Sequence, residues 1–199
     1  GEDSVMANLT AIHSVGASLV TYLRNAYPSS FREKHPCDFR LFSSGELAQI
    51  EDSNLNTTVS LYLFRITMNE HLRNKVPPSR AQPPLMLDLH YLLTVWTDSP
   101  LAEHSIAAWV MRELHQQPVM DISSLSLDAD WGKDDVVQIV PAELSNEDMM
   151  RIWDALAPHY RLSLSYIARV VRIDPDEPET GLPVVATRHQ YGEKGSHAD

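Results

Sequence analysis

The stretch LMLDLHYLLTVWTDSPLAEHSIAAWVMRELHQ, residues 85–116, changes period partway along, and that change decides the fold. As far as Trp96 it alternates. Leu85, Leu87, Leu89, Tyr91, Leu93 and Val95 take one face and Asp88, His90 and Thr94 the other, the period of a β-strand. Ser99-Pro100 then supplies a hydroxyl at a helix cap and a proline for the first turn. Beyond it Ile106, Trp109, Val110 and Leu114 fall on one helical face, and Pro118 follows the end. A long strand therefore runs directly into a long helix.

Working outward towards the N-terminus, Thr57 to Met68 reads as a second long strand. Val59, Leu61 and Leu63 alternate with Tyr62, Phe64 and Ile66, so both faces carry bulk and the strand is central or lies beneath an interface. His71 to Pro84, between the two strands, is polar, basic and proline-rich, which suits a long connection. Ile12, Val15, Leu19, Tyr22 and Leu23 recur at helical spacing. They predict a first helix capped by Asn8 or Thr10, running to about Tyr27 and stopped by Pro28. Phe39 to Phe42 is a short strand, and Gly45 to Asn56 reads as loop.

Towards the C-terminus, Asp121 to Asp135 reads as loop and Val136 to Val140 as a strand closed by Pro141. Ser145 with Asp148 has the spacing of a capping box. It opens a short helix whose apolar face is Met149, Ile152, Trp153 and Leu156, ended by Pro158. Arg161 to Ile173 is a third long strand, with Leu162, Leu164, Tyr166, Ala168 and Val170 on one face. The strands do not alternate regularly with helices. The expectation is a single α/β (α+β) domain over residues 9–174, a mixed or largely antiparallel sheet with about three helices packed on it. Residues 1–8 form a leader, with Met6 a candidate native start, and residues 175–199 a flexible tail. In that tail DPDEPETGLP, residues 174–183, is acidic and proline-rich and opposes both helix and packing. LPVVAT, residues 182–187, is its one β-prone segment.

The chain has 199 residues, enough for one well-buried core. Its formal net charge of -11 argues against nonspecific attraction to nucleic acid or an anionic membrane. Cys37 is the only cysteine, which rules out an intramolecular disulfide and a multi-cysteine zinc site and fits a reduced, cytoplasmic setting.

The search for chemistry returns no complete constellation. Asp98, Glu103 and His104 lie close along the chain, yet Glu103 in a first helical turn is favoured by the helix dipole by ~0.3–1 kcal/mol. Asp98 and Ser99 suit a turn and a cap. A small hydrolase using His104 with Glu103 or Asp98 would need a concave pocket and an orienting third group. His90 and Asp88 point the same way from a strand, but two ligands are too few for a metal site; a hydrogen-bonded pair on an exposed or interface face is the expectation. DADWGKDD, residues 128–135, fails the calcium-loop pattern, because its glycine is displaced and Ile139 stands at the twelfth position. Cys37 after His35-Pro36 reads as a plain loop cysteine. Ser43-Ser44-Gly45 lacks the pattern of a nucleophile elbow, and seven glycines give no phosphate-cradling loop. Trp96, Trp109, Trp131 and Trp153 read as core. No catalytic residue, cofactor or metal is assigned.

Four segments together carry a resemblance: LTAIHSVGASLVTYLRNAYP, VSLYLFRITMNEHLRN, LMLDLHYLLTVWTDSPLAEHSIAAWVMRELHQQPVM and IWDALAPHYRLSLSYIARVVRID. They resemble the N-terminal helix, the central strands and helix, and the C-terminal helix and strand of the cap, or tube-terminator, proteins of phage-tail-like contractile injection systems of the antifeeding-prophage and virulence-cassette type. The resemblance covers roughly Leu9 to Asp174. It implies a structural protein similar to phage tail terminators, without a catalytic motif. Such a protein closes the baseplate-distal end of the inner tube as a homo-hexameric ring and limits tube and sheath growth. The implied partners are the inner tube and sheath proteins, with neither nucleic acid nor membrane, in a particle assembled in the cytoplasm. A generic peptide-binding adaptor is the other non-enzymatic reading. Under the terminator reading Arg65, Met68, His71, Arg73, Lys75, Arg80, His90, Glu103 and His104 are the candidate subunit or tube contacts. Leu182, Val184 and Val185 of the tail are the candidate partner-docking residues.

Overall fold

The computed structural model describes residues 9–53, 55–69, 84–129 and 131–174. In chain order its elements are α1 (Ala11–Ala26), α2 (Ser29–Lys34), β1 (Asp38–Phe42), α3 (Ser44–Ala48), β2 (Thr58–Met68), β3 (Leu85–Trp96), α4 (Pro100–Gln116), β4 (Val119–Met120), β5 (Val137–Pro141), α5 (Asn146–Ala155) and β6 (Ser163–Ile173), with short 3-10 turns at Ile50–Asp52 and Leu127–Ala129. One six-stranded sheet has the order β1-β2-β3-β6-β5-β4. β1 runs parallel to β2 and every other pairing is antiparallel, so the expected mixed, largely antiparallel α+β domain is what the chain forms.

Both faces of the sheet are covered around β3. On one face α1 and α4 pack Val15, Leu19, Ile106 and Val110 against Leu89, Tyr91 and Leu93. Tyr27, Phe39 and Trp109 meet there edge to face, with ring centroids 5.0–5.8 Å apart. On the opposite face α3 and α5 close Leu47 and Trp153 over Phe42, Leu92 and Trp96. This double cover explains why β3 is buried along nearly its whole length. Three of the four tryptophans are core, and Trp131 is partly buried, its indole donating to Ser14 Oγ at 3.0 Å.

Several local expectations need correction. Two short helices replace parts of what reads as coil. Pro28 ends α1 but sits extended ahead of α2, where its fixed φ is no obstacle. Within Gly45 to Asn56, α3 forms because Ser43 and Glu46 make a full capping box. At α5 only the Ser145 hydroxyl caps, accepting from the Asp148 N–H at 3.1 Å. Thr10 does not cap α1 through its side chain; its hydroxyl donates to the Asp128 carbonyl and ties the helix to the 3-10 turn. Asn8 lies outside the described residues.

Two bulges flank β3. Phe64 is the extra residue of β2 between the pairs Leu63–Tyr91 and Arg65–His90. β6 gains a residue between Ala168 and Val171. A bulge shifts the alternation by one. Ile66 and Met68 therefore share the α1/α4 face with Leu63, and Ile66 parts from Tyr62 and Phe64. On β6 the Leu164, Tyr166, Ala168 face passes to Val171 and Ile173; the side chain of Val170, expected on that face, lies outside those described.

Candidate functional site

The junction after β3 is a structural clamp. Ser99 caps α4 by accepting from the Ala102 N–H at 3.3 Å. Arg161 donates to the Thr97 carbonyl at 2.9 Å, lies over the Trp96 ring at 5.1 Å and reaches Asp98 at 3.8 Å. Asp98 is fully exposed, and the His104 side chain is 69% exposed with Glu103 3.5 Å away. Neither lines the groove beside α4. The open groove nearest α4's exposed side, about 330 Å³, is lined by Phe31, Ser105, Ala108, Trp109 and Arg112, which offer no base to activate the Ser105 hydroxyl. His104→Ala should accordingly leave stability within about 0.5 kcal/mol of the unaltered chain, the ordinary range for a surface substitution, as read by chemical denaturation.

His90 is at the other half of β3 and is buried, 7% exposed. Its Nε2 bonds Thr67 Oγ1 at 2.9 Å and its ring meets the edge of Phe64, the bulge residue. Asp88 accepts from Asn69 Nδ2 at 3.2 and 3.3 Å. In place of the expected hydrogen-bonded His90–Asp88 pair on an exposed or interface face, His90 is buried and bonds Thr67 of β2, and Asp88 bonds Asn69. Among the described residues no three His, Cys, Asp or Glu side chains are grouped to hold a metal ion. Cys37 is partly buried, and burial pushes its thiol up to about 12, so it is no thiolate nucleophile at neutral pH.

Burial, then the positive charge of Arg65, holds His90 below the ordinary histidine value against the pull of Asp88, with Arg169 adding to the lowering. The unfolded chain therefore binds this proton more readily. The contribution of neutral His90 is complete above about pH 6.5 and is lost as pH falls through its lower native pKa. His90→Gln should remove that dependence. Denaturation midpoints at a series of pH values between 7 and 5 should converge for the two proteins; parallel curves would show that His90 is not the titrating group.

The candidate contacts divide between the two ends of the sheet. Arg65 stands opposite His90, and Met68 lies three residues further along β2. Glu103 and His104 follow the far end of β3, roughly 20 Å of strand from the Arg65 pairing and roughly 30 Å from that of Met68. Arg65 and Met68 are exposed. His71, Arg73, Lys75 and Arg80 lie outside the described residues, as do Leu182, Val184 and Val185. Sequence reading missed Arg169, on the same face as Arg65, and the length of β2 that no outer strand covers. β1 pairs with β2 only as far as Tyr62, so Leu63–Met68 has no outer partner among the described residues.

The family model described as the Pvc16 N-terminal domain matches residues 14–187. Two cryo-electron microscopy structures share the fold. One is the sheath/tube terminator of PVC, an extracellular contractile injection system, in its extended state, with a TM-score of 0.58 and 17% identity over 94% of this chain and 65% of that one. The other is the tube-terminating cap of the anti-feeding prophage, with a TM-score of 0.52 and 18% identity over 92% of this chain and 61% of that one. The chain spans less than two thirds of either protein's length. No curated protein sequence matches. No helix among the described residues is long and apolar enough to cross a membrane.

Proposed function

The chain belongs to the Pvc16 N-terminal domain family, and from that premise we propose that it is a structural terminator of a contractile injection system, closing the baseplate-distal end of the inner tube and limiting its length. The observation that carries this reading is the fold it shares, over 94% of its own length, with a sheath/tube terminator. The disposition of the surface supports it. A terminator needs one surface for the structure it closes and another for its neighbours. Exposed Arg65 and Met68 beside one half of β3, and exposed His104 with partly buried Glu103 after its other end, would give such a protein two separate contact surfaces.

In the proposed particle the chain forms a homo-hexameric ring on the inner tube and meets the sheath, without enzymatic turnover. A head-to-tail ring repeats one heterologous interface. Arg65, Met68, Glu103, His104 and the basic residues His71, Arg73, Lys75 and Arg80 belong to this interface or to the tube contact, and buried His90, paired with Arg65 in register, supports that surface from within. Positive groups kept on an otherwise acidic chain favour pairing with an acidic neighbour. Leu182, Val184 and Val185 dock on a partner. Assembly takes place in the cytoplasm before the particle acts.

The test is the tube-length distribution of particles assembled with and without the chain. With it, lengths should fall in one narrow peak. Without it, they should spread broadly. Identical distributions would remove the terminator reading, whatever else the chain binds.

A further inference from the structure

A sheet's open edge is a template for another strand, and folded proteins usually block it. This sheet blocks part of each outer edge. On β1 the outward N–H of Phe39 goes to Asp38 Oδ1 and its carbonyl accepts from Arg24. On β5 the two-residue β4, the bond from Ile139 N–H to the Pro118 carbonyl, and Pro141, which has no N–H, do the same. The second strand is treated differently. Over Leu63–Met68 it runs beyond β1 with no outer partner among the described residues. Asn69 N–H is given to the Met86 carbonyl, so backbone alternation turns the polar groups of Ile66 and Met68 outward. Their side chains are 45% and 62% exposed. The corresponding overhang of β6 past Arg169 is only four residues.

We propose that the edge Leu63–Met68 accepts Leu182–Thr187 from a second copy of this chain as an added strand. LPVVAT is the β-prone piece of the C-terminal sequence, and the family match extends through Thr187, its last residue, so the piece belongs to the family domain. Strand addition gives affinity through main-chain hydrogen bonds and specificity through alternate side chains. Asp174 to Leu182 carries repeated carboxylates together with Pro175 and Pro178. Such composition favours an extended chain, and a length of eight residues can span about 25 Å, enough to meet a neighbouring subunit. The charge matches as well. Arg65 and Arg169 lie exposed on the same sheet face, flanking His90, and neither has an ion-pair partner among the described residues. The acidic spacer supplies one. Donor and acceptor are different surfaces, so each copy receives one strand and gives one, as head-to-tail closure requires.

The inference rests on the assembly proposed above, but the two fail separately. In a full chain with Cys37→Ser, Ile66→Cys is combined in turn with Val184→Cys and with Val185→Cys and oxidised with diamide, each single-cysteine variant serving as control. The expected result is a disulfide between chains, a ladder on non-reducing gels absent from every control. The unaltered chain should show the Ile66 and Met68 amides exchanging at least tenfold more slowly as protein concentration rises, with salt reversing the effect. A disulfide confined to single chains, no disulfide, or exchange independent of concentration would overturn strand exchange. Tubes still capped to one length in that case would leave the terminator reading standing.

Discussion

Replacing Trp109 by alanine should lower the unfolding free energy by about 3–5 kcal/mol, the usual cost of truncating a buried aromatic. The indole is 3% exposed and holds α4 to the end of α1 and to β1 through its edge contacts with Tyr27 and Phe39. Removing it empties a place where three elements meet through aromatic rings. Tyr27 is itself fixed by its hydroxyl, which donates to the His35 carbonyl at 2.6 Å. For a chain of this size the loss corresponds to a fall in Tm of roughly 10 °C. Urea denaturation decides the matter: a change below about 1 kcal/mol would mean that Trp109 does not anchor the helix layer.

The second large effect is expected at Gly16, where α1 comes closest to the sheet. A Cβ there would stand 3.0 Å from Leu41 Cδ1 and 3.2 Å from both Leu41 Cδ2 and Tyr91 Oη. Alanine asks that the ends of Leu41 and Tyr91 each give by a few tenths of an ångström, and it gains about 1 kcal/mol of helix propensity over glycine. Gly16→Ala should therefore be nearly neutral. Leucine adds three further carbons against Tyr91, which is 1% exposed and held in the core. Gly16→Leu should cost about 2–3 kcal/mol as overpacking. Equal stability of the leucine and alanine variants, again by urea denaturation, would show that the helix can lift off the sheet without penalty.

What could be read from the sequence was set by local chemistry. The passage from strand to helix at Ser99-Pro100 follows from cap and turn residues that act within a few positions, and Ser99 caps α4 as expected. The apolar face of α4 likewise follows from a 3.6-residue period. The bulges at Phe64 and beyond Ala168 were not legible. A bulge exists only between two strands, and one strand's alternation carries no sign of its partner's extra residue. The same blindness hid the burial of His90, which arises because Phe64 closes over its ring. It also hid the open edge of β2, which depends on β1 ending at Phe42. Ser43 with Glu46 was a readable helix start, masked by the glycine between them. Of the candidate contacts, Arg65 opposite His90 is a pairing that register alone could reveal. At the junction Asp98 faces Arg161 and Glu103 faces His104, pairs that short spacing along the chain made legible only for the second.

The central claim, that this chain closes the end of a tube, is tested most directly by cryo-electron microscopy of the ends of assembled particles carrying an epitope-tagged chain. The expected result is density for a sixfold ring of this chain at the baseplate-distal end, bearing the label and contacting the last tube layer. Label at the baseplate or along the tube, a single copy, or a ring of another order would contradict it.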